Sequence, residues 1–110
     1  MRTGDRAIPF RDISDTCKPV MEQLCRRWLP AGHKSGNWWV APCPWRQDKT
    51  PSLMVSLTTG HWEDRGAAHA GKESGDPIKL FWAIYGGDMV DAADAVATIV
   101  GHPWRKARRA

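Results

Sequence analysis

The residues best suited to do chemistry in this chain lie between Lys34 and Arg65. Cys43-Pro44-Trp45-Arg46 forms a compact corner, and Asp48-Lys49-Thr50 follows it. A structural zinc needs Cys or His ligands in two close pairs, and Cys43 has no second Cys or His at that spacing. His61 and His69 are near enough in sequence to be imagined as stand-ins, and Asp64 offers an oxygen, but ligand count and spacing argue against zinc as a cofactor. Catalysis has little support. Thr50-Pro51-Ser52 reads as turn chemistry, and neither hydroxyl has a base placed to activate it. Glu63 and Asp64 point to opposite sides of a strand, so they make no carboxylate pair. Lys72 lacks the context of a phosphate loop. Gly75-Asp76 could bring a helix N-terminus to a phosphate, although the Asp76 charge opposes an anion there. The expectation is a non-enzyme.

A second chemistry is carried by aromatic rings among cations. Trp38, Trp39 and Trp62 alternate in sequence with Lys34, Arg46, Lys49 and Arg65. Single-stranded nucleic acid favours such a surface, because bases stack on rings and phosphates meet cations. Trp38 and Trp39 face opposite sides of a strand, so at most one belongs to the core. The competing reading makes the tryptophans core and the cations a solvated face.

These residues need a platform. Trp38-Trp39-Val40-Ala41 reads as a strand. Leu53, Val55 and Leu57 alternate with Ser52, Met54 and Ser56, the period of a half-buried strand. Thr58-Thr59-Gly60 turns the chain and His61-Trp62-Glu63-Asp64 returns it, giving an antiparallel sheet of about three strands. One helix precedes the sheet: Ser14, Asp15 and Thr16 offer caps, Pro19 suits the first turn, and Met21, Leu24, Cys25 and Trp28 form its apolar stripe. The polar stretch 31–35 reads as a loop, as does 67–75. Two helices follow. Asp76 caps the first, with a stripe of Ile78, Phe81, Trp82 and Tyr85. Asp88 caps the second, with Ala93, Val96, Ala97 and Val100. The fold class is therefore α+β, with one domain over 1–110 and tails at 1–12 and 103–110.

Composition narrows the function classes. A chain of 110 residues can bury a core without staples. Seven tryptophans exceed the ~1–1.5 per hundred residues of ordinary domains, so some should do more than fill the interior. A formal charge of +4 and a pI near 9.3 suit a polyanion. Three cysteines fit no disulfide framework, and no apolar run approaches a membrane span, so a reducing cytoplasm is expected.

The run Cys43-Pro44-Trp45, then Asp48-Lys49-Thr50-Pro51-Ser52-Leu53 and Val55, resembles the zinc-ribbon module that opens bacterial replicative primases. Laid on that pattern without a gap, the first metal ligand falls on Cys43, the His on Arg46, the third ligand on Asp64 and the fourth on Ala67. Three of four ligand positions thus carry other residues, as in the zinc-lacking versions of phages, plasmids and integrated elements. Gly60-His61-Trp62-Glu63-Asp64 and Gly75-Asp76-Pro77 extend the likeness to roughly 32–101. The resemblance implies a module that grips single-stranded template DNA while a primase, polymerase or helicase partner does the catalysis. Arg46 and Asp64 would then face each other across the old metal cavity as an ion pair. A small protein-interaction module using the same Trp/Arg face is the alternative.

Overall fold

The computed structural model describes residues 8–45, 51–66 and 73–107. Helix α1 (Phe10–Cys17) leads through a 3-10 turn (Lys18–Val20) into α2 (Met21–Trp28). Strands β1 (His33–Ser35), β2 (Trp38–Ala41), β3 (Leu53–Ser56), β4 (Trp62–Asp64) and β5 (Ser74–Gly75) come next, before α3 (Pro77–Tyr85) and α4 (Met89–Val100). All five strands join one antiparallel sheet in sequence order.

The α+β class and the central three strands match the sequence reading. Two strands were hidden from it. β1 is exposed at all three positions, so it has no alternation to betray it. It forms because Gly36, at φ +60°, and Asn37 close a two-residue hairpin that pairs Ser35 with Trp38. β5 has only two residues, held by backbone pairing to Trp62 and Glu63.

The helical part before the sheet also differs. Ser14, Asp15 and Thr16 are not caps; they lie inside α1, which starts at Phe10. Pro19 has no N–H to continue the ladder, so the chain tightens into the 3-10 turn and resumes as α2. Ile13, Cys17 and Met21 continue the apolar stripe of Leu24, Cys25 and Trp28 across that break, and all six are buried. At the other end, residues 102–106 are packed rather than trailing. The His102 Nε2 lies 3.4 Å from the Asp12 carboxylate, Trp104 packs against the core, and the Lys106 Nζ lies 2.6 Å from Asp91.

The helices cover one face of the sheet. Trp39 donates its indole N–H to the Leu29 carbonyl (3.1 Å), with the Arg26 guanidinium 5.2 Å from its ring centroid. Trp62 donates to the Asp76 carbonyl (2.8 Å) and meets Trp45 edge-on at 5.5 Å. The Asp76 and Asp88 side chains accept from Lys79 N and Asp91 N, the N-caps expected for α3 and α4. In α3 the buried set is Pro77, Ile78, Leu80 and Ala83, while Phe81 and Trp82 are half-buried and Tyr85 is exposed. A helix packed on more than one side does not follow a single stripe.

Gly60 ties the hairpin to α3. Its φ is +80°, and a Cβ there would stand 2.7 Å from the Pro77 ring. Gly60→Ala is therefore expected to destabilise by about 1–3 kcal/mol; a denaturation midpoint equal to that of the parent would contradict the close approach.

Burial pushes the thiols of Cys17 and Cys25 from an ordinary 9.0 up to about 12, with Asp76 adding to the shift at Cys17 and Glu22 at Cys25. Below pH ~9 both folded and unfolded states keep these protons, and the contribution to stability is complete. Above it the unfolded chain releases protons that the folded state retains, so stability falls by ~1.4 kcal/mol per pH unit for each thiol until the folded pKa is reached. We expect melting temperatures level up to about pH 8.5 and falling steeply above pH 9. Cys17→Ala should flatten that fall; an unchanged slope would count against the buried-thiol origin.

Candidate nucleic-acid interface

The strand register sorts the side chains into two faces. Directly opposed residues share a face, so Lys34, Trp39, Val55, Trp62 and Gly75 form one row on the helix side. Ala41, Leu53 and Asp64 form the next row of that side. On the opposite, open face, Ser35, Trp38 and Ser56 make a row, and the bond from Ser56 N to the His61 carbonyl (2.8 Å) brings His61 into it. The following row holds His33, Val40, Met54, Glu63 and Ser74. Arg65 ends the face beside Ser52, through a bond from its backbone N to the Ser52 carbonyl (2.9 Å).

This sorting separates the expected ligands of nucleic acid. Trp39 and Trp62 are 3% and 0% exposed and spend their ring faces and indole N–H groups inside the core, leaving no face for a base. Trp38 stands half-buried on the open face, with Val40 and Met54 beside it. Lys34 leaves the sheet edge for α2, where its Nζ lies 3.1 Å from Glu22. Glu22 also receives Arg26 (3.0 Å), and these hydrogen bonds, that from Lys34 foremost, hold its carboxyl below the usual range. Lys34 is thus drawn toward α2, where it shares the Glu22 carboxylate with Arg26. Arg65 is exposed, with its Nε 3.7 Å from Glu63, and His61 approaches the same carboxylate at 3.6 Å. Arg46 and Lys49, and with them the expected Arg46–Asp64 pair, lie outside the described residues. Sequence reasoning passed over His33, Val40 and Met54 as members of the open face, because only the register of β1 and β3 reveals them.

Residues 24–110 match the sequence pattern of the CHC2 zinc finger, the DnaG zinc ribbon. The chain belongs to the CHC2 zinc finger family. No curated protein matches the sequence. Among solved structures, the Aquifex aeolicus primase (zinc binding and RNA polymerase domains) is similar, with 25% identity and a TM-score of 0.64. That likeness covers 82% of this chain and 21% of the other, so this chain spans about a fifth of that one.

Zinc gives the CHC2 zinc finger family its name, and the described residues of this chain assemble no site for it. Arg46 carries only donors and Ala67 carries none, so neither position can supply a ligand. Cys43 is buried at the end of the β2 arm. Asp64 accepts from Gly66 N (2.9 Å). His61 sits in the open-face row, and His69 lies outside the described residues. Among the described residues, no three His, Cys, Asp or Glu side chains come together to hold an ion. Two residues after Cys43, Trp45 meets Trp62 edge-on, so among the described residues aromatic packing lies at this corner of the ribbon. Among the described residues no helix is long and apolar enough to cross a membrane.

Proposed function

We propose that this chain is a primase-type template module that holds single-stranded DNA on the open face of its sheet, without zinc and without catalysis of its own. The observation that carries the reading is Trp38. It is the aromatic ring that the β2 pleat turns away from the helices, in a family of primase ribbons, with Arg65 at the end of its face and His61 in its row. A base stacks on Trp38, apolar Val40 and Met54 flank it, and phosphates meet Arg65 at the end of the face. Catalysis belongs to a primase, polymerase or helicase partner, in the same chain or another.

Binding of a labelled oligonucleotide across a salt series, with duplex of the same sequence alongside, tests this. The expected result is micromolar or tighter binding that favours the single strand and weakens steeply with salt. Absence of binding at low salt would overturn it in favour of a protein partner on the same face. Exposed Tyr85 (55%) and Val90 (40%), at the α3–α4 corner, give a second surface to mutate in that case.

A further inference from the structure

A cleft of about 430 Å³ opens between α1, the β3–β4 hairpin and the start of α3, within the size range of small-ligand sites. One of its walls is His61, which also stands in the open-face row with Trp38. Trp38 lies on β2 and His61 directly precedes β4, two strands across, about 10 Å at the usual strand spacing. A strand of DNA leaving Trp38 along that row therefore arrives at the cleft.

The charges around the cleft are unequal in their freedom. Asp15 is held by Lys18 at 2.9 Å, and Asp76 is engaged with Lys79 N at 2.8 Å. Arg11 lines the same cleft, is exposed, and has no ion pair among the described residues. Phe10 and Pro77 supply apolar walls. Ser14, nine-tenths buried, also lines the cleft, and its Oγ has no hydrogen-bond partner among the described residues. A mid-helix serine ordinarily bonds back to its own helix, so this hydroxyl is unspent. The wall that carries Phe10, Arg11 and Ser14 lies before residue 24, outside the stretch that matches the family pattern.

We propose that the cleft receives a nucleotide several places along the strand from the one on Trp38, its phosphate on Arg11 and its base against Phe10 and Pro77. This rests on the DNA-binding reading above. The test uses the full chain with labelled oligothymidylates of about 4, 8 and 12 nucleotides. The parent protein gains affinity with length. Arg11→Glu binds the longest about ten-fold more weakly, with a salt slope lower by about one, while the shortest binds as before. Arg11→Lys restores most of the loss. Equal affinity and salt slope for the parent and Arg11→Glu, with both bound to DNA and melting alike, would overturn the cleft alone. A parent protein that binds no single strand would overturn the DNA reading and the cleft together.

Discussion

Trp62→Ala is expected to lower the stability of the domain by about 3–5 kcal/mol, the range for deleting a large aromatic from a close-packed interior. The side chain is wholly buried and stands at a junction. Its row joins β3 to β5, its indole N–H donates to the Asp76 carbonyl at the head of α3, and its ring receives the edge of Trp45. Removing it opens a cavity and leaves that carbonyl with Leu80 N (3.0 Å) and without the indole donor. Against a total of roughly 5–15 kcal/mol for a small domain, the loss brings the protein close to unfolding at ambient temperature. Trp62→Phe keeps most of the apolar volume and forfeits the donor, so a smaller loss of about 1–3 kcal/mol is expected. Urea denaturation followed by far-ultraviolet dichroism measures both. A Trp62→Ala midpoint within about 0.5 kcal/mol of the parent, the range of surface substitutions, would contradict its place at the centre of the core.

Trp38→Ala is expected to act on binding. Loss of one base–aromatic stack weakens single-stranded DNA binding by about 1–3 kcal/mol, a fall of roughly 5- to 150-fold. The ring is only half-buried and lies on the face away from the helices, so stability should fall by about 1 kcal/mol or less. Trp38→Phe should retain part of the affinity. Trp39→Ala, one residue along, should do the reverse: its ring and N–H are committed to Leu29 and Arg26, so the fold suffers first. Equal affinity for the parent and a folded Trp38→Ala protein would remove the stacking ring from the account.

The contrast between these neighbours marks what the sequence could tell. Period-two alternation announced that Trp38 and Trp39 part company, yet the pattern of the chain alone does not say which one turns inward. Trp39 turns inward, where its indole N–H joins Gly32 N on the Leu29 carbonyl just after α2. The β3 alternation and the Thr58-Thr59-Gly60 turn were legible because burial and φ constraints act on the residues themselves. β1 and β5 were not, since polar residues there pair through their backbones. α1 was hidden by its composition: Ile13 and Cys17 are its fully buried apolar residues, too few to show a period within Phe10–Cys17. The same limit held for the site. Lys34 looked like a free cation in the sequence, and only the packing of α2 places Glu22 beside it.

The measurement that bears most directly on the central claim is photo-crosslinking of a single-stranded oligonucleotide carrying a photoreactive pyrimidine, with the attached peptides identified by mass spectrometry. The account predicts adducts on the open face, at Trp38 first and then near His61 and Arg65. Adducts confined to α3 and α4, with none on β2 or β4, would show that the strand lies elsewhere and that the open face of the sheet is not the interface.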